Sequence, residues 1–216
     1  MGTYQAVSQM TNQASIVYIV DDDQLLRESL SSLLRSIGLR VEIFASVADF
    51  LAFKRPDAPC CLVLDVRLQG ISGLDFQNEL VKNEETVPIV FMTGHGDIAM
   101  TVRAMKAGAI DFLAKPFRDQ DFLDAVAMAL SKDLDQREVS KGMAQLRSHY
   151  QTLTVREQGI MALAASGLMN KQIASEVCLS EITVKIHRAS VMRKMDAKTF
   201  AELVRMAEAL NLAAKR

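Results

Sequence analysis

Four short apolar runs in the first half of the chain each hand over to polar side chains suited to phosphate chemistry. Residues 16–20 are followed by Asp21, Asp22 and Asp23, residues 61–64 by Asp65, residues 87–92 by Thr93 in Thr93-Gly94-His95-Gly96, and residues 111–113 by Lys115 and Pro116. Carboxylates packed together repel one another unless a cation sits among them, and an all-oxygen donor set suits Mg²⁺, with Mn²⁺ as a substitute. Phosphate oxygens usually complete such an ion, and a lysine ammonium opposite adds a second positive charge. The set therefore predicts phosphoryl transfer, which needs a carboxylate nucleophile, a cation, a lysine and a hydroxyl donor. Asp65, Asp22, Lys115 and Thr93 fill those roles.

Those side chains must be positioned by the runs that precede them. Residues 16–20, 61–64 and 87–92 are continuous and rich in Val and Ile, as strands buried on both faces are, and residues 41–44 and 111–113 are weaker candidates. Between them lie helical patterns over residues 25–37, 47–53 (opened by Ser46, with Asp49 three later), 74–81, 98–107 after Asp97, and from Phe122 onward after Asp119. The order is (βα)5, and right-handed crossovers make it an α/β doubly wound parallel sheet covered by helices on both sides. In such sheets chemistry collects beyond the carboxyl ends of the strands, and with strand order 2-1-3-4-5 strands 1 and 3 bring Asp21, Asp22 and Asp65 together. Any one acid could merely cap the next helix. All four groups at successive strand ends argue for a site.

The whole chain has 216 residues, 25 Lys+Arg against 26 Asp+Glu, 50% hydrophobic and 24% charged, which excludes disorder, collagen and a coiled-coil rod. The charge is divided unevenly. Residues 1–130 hold 11 basic and 17 acidic side chains (net −6), and residues 131–216 hold 14 and 9 (net +5), so the second part is expected to face nucleic acid. No run approaches the roughly 18 apolar residues of a membrane span, and the first fifteen residues are too polar for a signal peptide. A cytoplasmic location without membrane contact is expected. Met1-Gly2 invites myristoylation, but Ala6 stands where Ser or Thr is wanted. Cys60, Cys61 and Cys178 have neither disulfide nor metal-ligand spacing and are expected to be reduced packing residues.

Residues 131–151 are charged and lack strand patterning, while Met143, Leu146, Tyr150 and Leu153 recur at helical spacing. A helical linker is expected, an extension of the last receiver helix followed by a short helix, with Ser140 and Gly142 as candidate breaks and a disordered tether as the alternative. Four short helices follow, over residues 155–165, 170–177, 182–195 and 200–210, with capping boxes at Thr154/Glu157 and Thr199/Glu202, an N-cap at Ser180 and a turn at Gly167. A short helix, a turn at Cys178-Leu179-Ser180 and a longer basic helix is the helix-turn-helix plan. On the basic helix Val184, Val191 and Met195 point to a scaffold of Ile160, Leu163 and Ile173. Lys185, Ile186, Ala189, Ser190 and Arg193 point the other way, toward a major groove, and Arg193, Lys194, Lys171 and Thr183 suit phosphate contacts. His187 has no second ligand at metal spacing and is expected to pack or to approach a phosphate.

The segments IVDDD, LVLDVRLQGISG, VFMTGHGD and AMKAGAIDFLAKPF resemble the receiver domain of two-component response regulators, particularly the NarL/FixJ type, over residues 14–132. LTVREQGIMALAASGLMNKQIASEVCLSEITVKIHRASVMRKM is similar to the LuxR-type helix-turn-helix of the same regulators. The resemblance implies a receiver over residues 14–130, a linker over 131–151 and an all-α four-helix DNA-binding domain over 152–212. It implies that Asp65 is the phospho-acceptor, fed by a sensor histidine kinase, with Mg²⁺ held by Asp21, Asp22, Asp65 and the backbone carbonyl of Arg67. Lys115 and Thr93 would meet the phosphoryl group, Phe112 would change rotamer in response, and Lys115-Pro116 would be cis. Gln69 stands where the family often has Pro. Base contacts would fall on Lys185, Ile186 and Ala189, the last against a thymine methyl.

The expected function is a phosphorylation-controlled transcription factor, not a turnover enzyme, that dimerises through Val102, Arg103 and Lys106, binds double-stranded promoter DNA and activates RNA polymerase. Two rivals share parts of this pattern. One is a Mg²⁺-dependent haloacid-dehalogenase-type phosphatase using Asp21 and Asp23; the other is a constitutive DNA-binding protein with a vestigial receiver.

Overall fold

The computed structural model describes residues 15–68, 70–83, 85–94 and 98–212. The expectations for Met1-Gly2 and Ala6, for a receiver beginning at residue 14, for Gln69, for His95 and Gly96, and for Asp97 ahead of the fourth helix lie outside these residues. The described chain forms two compact units, divided after Arg137.

In the first unit, strands β1 (Ile16–Val20), β2 (Arg40–Phe44), β3 (Cys60–Asp65), β4 (Ile89–Thr93) and β5 (Asp111–Ala114) alternate with helices α1 (Gln24–Ser36), α2 (Val47–Ala52), α3 (Gly73–Lys82), α4 (Ile98–Lys106) and α5 (Asp119–Gln151). The sheet has the order β2-β1-β3-β4-β5, and all its pairs are parallel. Apolar layers on both faces explain the unbroken hydrophobic runs. Tyr18, Leu62, Leu64 and Phe91 pack under Phe50, Phe76, Leu80 and Ala104 of α2, α3 and α4. Val17, Ile19, Val63, Val90 and Met92 pack under Leu30 and Leu34 of α1 and Phe122 and Val126 of α5. Each such fully buried side chain stabilises the fold by about 1.5–3 kcal/mol. Register then sets the rim, because Val20 pairs with Leu64, Asp65 with Met92, and Thr93 with Ala114. The residues just past these pairs stand level with one another.

Helix α5 is a single helix of 33 residues, and it runs through Ser140 and Gly142 without the break that the sequence allowed. A glycine inside a helix costs only about 1 kcal/mol, which the flanking turns offset. Its first turns bury Phe122, Ala125, Val126, Ala129 and Leu130 in the first unit, and its last turns supply Leu146 and Tyr150 to the core of the second. Among the described residues no helix is long and apolar enough to cross a membrane.

The second unit continues with α6 (Val155–Ala165), α7 (Asn170–Glu176), α8 (Glu181–Lys194) and α9 (Phe200–Ala209). Thr154 and Glu157 form the expected capping box, and the Ser180 hydroxyl accepts from the Thr183 amide. At the last helix the Thr199 hydroxyl accepts from the Glu202 amide, but the Glu202 carboxylate accepts from Lys198 N, one residue before the cap, so that box is only half formed. The scaffold expectation is also corrected. Val184 does join Ile160 and Ile173, whereas Val191 and Met195 belong to a separate cluster with Met161 and Leu203. Cys60 and Cys61 are buried, but Cys178 is exposed in the helix-turn-helix turn at φ 52° and packs against no core.

Candidate functional site

At the carboxyl rim of the sheet, carboxylate oxygens of Asp21, Asp22 and Asp65 lie within 4.8 Å of one another. Asp21 and Asp65 are buried and Asp22 is exposed. From the end of β5 the Lys115 ammonium donates to Asp21 Oδ2 at 2.6 Å and stands 3.5 Å from Asp65 Oδ2. Thr93 is fully buried at the end of β4, and its carbonyl accepts from Lys115 N at 2.7 Å. Burial pushes the Asp65 carboxyl above the ordinary carboxylate range; the Lys115 charge draws it back, and neighbouring Asp21 raises it again. One lysine against three carboxylates leaves excess negative charge, and the donor set is all oxygen. These residues fit a divalent cation such as Mg²⁺.

The local chain explains the placement. Asp23 turns away to cap α1, accepting from the amides of Leu25 and Leu26, while Asp21 Oδ1 accepts from Asp23 N at 2.9 Å. The acid that the phosphatase alternative requires is thus committed to a helix end. Lys115-Pro116 is cis. Phe112 is half-buried beside Phe91, ring centroids 6.1 Å apart. Arg67 lies in the loop after β3, where its amide donates to the Asp65 carboxylate and the residue bridges to Ser72.

Two neighbours carried no signal in the sequence reading. The Arg27 guanidinium donates to the Asp21 carbonyl. A Cβ on Gly73 would sit 2.5 Å from the Asp65 carbonyl oxygen, so the turn into α3 passes too close for any side chain. Val102, Arg103 and Lys106 are all exposed on α4.

In the second unit Lys185, Ile186, Ala189 and Arg193 share one exposed face of α8, and Lys171 is exposed in the first turn of α7. Ser190 and Lys194 depart from their expected role. Ser190 Oγ donates to Glu157 Oε1 at 2.7 Å and Lys194 Nζ to Glu157 Oε2 at 2.6 Å, so both turn toward the scaffold. Thr183 spends its hydroxyl on Ser180, 2.7 Å away. Glu157 is buried, and its carboxyl is lowered to about 2, first by Lys194 and then, against desolvation, by Thr154 and Ser190. Helical angle alone missed this acceptor, although its 33-residue offset from Ser190 hides no more than any tertiary contact does. Arg188 was likewise missed; it donates to Asn170 Oδ1 and lies 4.7 Å from the Phe200 ring centroid, a cation–π distance.

A family model described as the response regulator receiver domain matches residues 17–127, and one described as bacterial regulatory proteins of the luxR family matches residues 151–207. The chain belongs to the response-regulator family. This response regulator is 54% identical over 200 residues to nodulation protein W of Bradyrhizobium diazoefficiens, covering 93% of this chain and 88% of the relative. It is 41% identical over 191 residues to the transcriptional regulatory protein FixJ of Azorhizobium caulinodans, covering 88% and 90% of the two chains. Among solved structures, the response regulator StyR superposes with a TM-score of 0.80 at 47% identity, covering 90% of this chain and 98% of that one. The regulator therefore pairs a receiver with a LuxR-type DNA-binding domain.

Proposed function

We infer that the protein is a phosphorylation-controlled transcription factor in which Asp65 accepts a phosphoryl group from a sensor histidine kinase. What supports this most is the meeting of Asp21, Asp22 and Asp65 oxygens within 4.8 Å beside the Lys115 ammonium. Asp21, Asp22, Asp65 and the Arg67 carbonyl would hold Mg²⁺ or Mn²⁺, which when bound neutralises charge on the transferring phosphate. Asp65 supplies the attacking oxygen. Lys115 then exchanges part of its hold on Asp21 for the new phosphoryl oxygens, and the Thr93 hydroxyl turns to the same group. That movement opens space beside β4 for Phe112, whose half-buried ring can turn inward.

The added charge, about −1.5 to −2, biases the face of α4, β5 and α5, where Val102, Arg103 and Lys106 offer a homodimer surface. Dimerisation places two α8 helices on half-sites of promoter DNA about one helical turn apart, with Lys185, Ile186 and Ala189 toward base edges and Lys171 and Arg193 toward phosphates. Recruitment of RNA polymerase and activation of transcription in the cytoplasm complete this reading, with no substrate turned over apart from the chain's own aspartyl phosphate. The receiver is taken as residues 14–130, the linker as 131–151 and the DNA-binding domain as 152–212.

Labelling with acetyl phosphate, combined with footprinting across genomic DNA, tests the scheme. Asp65→Asn should abolish both the label and the donor-dependent footprints. Donor-independent footprints would instead support a constitutive DNA-binding protein, and phosphate-ester turnover lost in Asp21→Asn but kept in Asp65→Asn would support the phosphatase.

A further inference from the structure

Helices α6, α8 and α9 each start on a side-chain cap, and α7 does not. Thr154, Ser180 and Thr199 accept from an amide in the first turn of their helices, whereas Met169, at the cap of α7, has no side-chain acceptor to offer. Gln172 Oε1 accepts from Met169 N at 2.8 Å, which satisfies the cap residue's own amide and none inside the turn. A helix of seven residues without a cap acceptor frays at its start. Lys171, exposed in that first turn, would swing with it.

What fastens this turn comes from another helix. Arg188, half-buried on α8, donates from Nη1 to Asn170 Oδ1 at 2.5 Å, and its guanidinium carbon stands 4.7 Å from the ring centroid of Phe200, the first residue of α9. A guanidinium carries donors only, so the oxygen of the Asn170 amide is the atom that must face it. Its planar fork can bond along an edge while a ring lies near its face, which a lysine cannot reproduce. One side chain of the recognition helix therefore ties down the first turns of both α7 and α9. Phosphate contacts set the register of such a helix on the duplex, so a frayed α7 costs affinity on every sequence alike. We propose that Arg188 is a positioning residue for DNA binding: by holding Asn170 it fixes the first turn of α7, the base from which the Lys171 ammonium reaches a DNA phosphate. The role rests on the reading of Lys171 as a phosphate contact, and Arg188 acts only through Asn170.

The test combines amide exchange with binding of the full chain to a random-sequence DNA duplex. The Ile173 amide donates to the Met169 carbonyl across the turn in question. In Arg188→Met, which keeps an apolar stem beside Phe200, and in Asn170→Ala, its exchange should accelerate about fivefold more than that of Val191 on α8. Asn170→Asp keeps an acceptor for the guanidinium and should keep the parent rate. Arg188→Met and Asn170→Ala should each weaken binding to the duplex about three- to fivefold, and Lys171→Ala, costly alone, should add less than about twofold on top of Asn170→Ala, as coupled neighbours do. Asn170→Ala leaves Arg188 in place and serves if Arg188→Met does not fold. Unchanged Ile173 exchange, or additive losses for Asn170→Ala and Lys171→Ala, would overturn the role of Arg188 alone. Loss of binding in Arg188→Met with parent affinity in Asn170→Ala would overturn it in favour of a direct phosphate contact by Arg188. Parent affinity and salt dependence in Lys171→Ala would overturn the phosphate reading of Lys171 and this role with it.

Discussion

Lys115 donates to Asp21 across 94 residues of sequence at 2.6 Å, an ion pair that ties the end of β5 to the end of β1 across the rim that the sheet register sets. Asp21 is fully buried, so loss of the ammonium leaves a carboxylate away from water that keeps the Asp23 amide as partner but no opposing charge from Lys115. Lys115→Ala should therefore lower stability by about 1–3 kcal/mol and slow labelling of Asp65 by acetyl phosphate on the order of 100-fold. Denaturation and labelling measured on the same preparation check both. Equal labelling rates in the variant and the parent chain would remove Lys115 from phosphoryl transfer.

Gly73 marks how closely the chain must pass the acceptor. An added Cβ would meet the Asp65 carbonyl at 2.5 Å and the Val66 Cα at 3.2 Å, both backbone atoms that cannot step aside. Gly73→Ala must displace either the strand end or the first turn of α3. Overpacking of this kind costs about 1–3 kcal/mol. Slower labelling of Asp65 is expected as well, whereas Gly142→Ala, in open space on α5, should leave labelling unchanged and raise stability by up to about 1 kcal/mol.

Glu157 gives the second unit an acid-sensitive joint. Its folded carboxyl is lowered from the ordinary glutamate value to about 2, chiefly by Lys194. A lowered carboxyl binds protons more weakly in the folded than in the unfolded chain, so its stabilisation is complete above about pH 4.5 and drains away as pH falls toward 2. Resonances of α8 followed by NMR should show progressive loss of structure over that window. In Lys194→Met the carboxyl returns toward its ordinary value, the acid dependence becomes shallower, and stability at neutral pH falls by about 1.5–3 kcal/mol. A variant as stable as the parent at pH 7 would show that the pair contributes nothing.

The sequence disclosed what depends on local pattern. Continuous Val- and Ile-rich runs announced strands covered on both faces, and capping residues placed helix starts within a residue or two, as at Thr154, Ser180 and Ser46. Convergence of Asp21, Asp22 and Asp65 was legible because it follows from strand order and register. Contacts between distant side chains were not. Angle around α8 assigned Ser190 to the groove-facing set, and Lys194 was read as a phosphate contact, but neither reading could register a buried acceptor on α6 that draws both inward. Ser140 and Gly142 looked like breaks because propensity is summed locally, whereas α5 is anchored in a packed core at each end.

The same redistribution sharpens what α8 can do on DNA. With Ser190 and Lys194 held by Glu157, the exposed cation near the start of the helix is Lys185, flanked by Ile186 and Ala189. Lys185→Ala should cost about 1–3 kcal/mol on a specific site while leaving random DNA nearly unaffected, since base-edge contacts carry the discrimination. Lys171→Ala should weaken both and reduce the slope of log K against log salt by about one unit, the signature of one lost phosphate contact. Ser190→Ala should change neither slope nor preference. Titrations at several salt concentrations, on a footprint-derived site and on random sequence, separate these outcomes. Equal losses on both DNAs for Lys185→Ala would move that residue from the groove to the phosphate backbone.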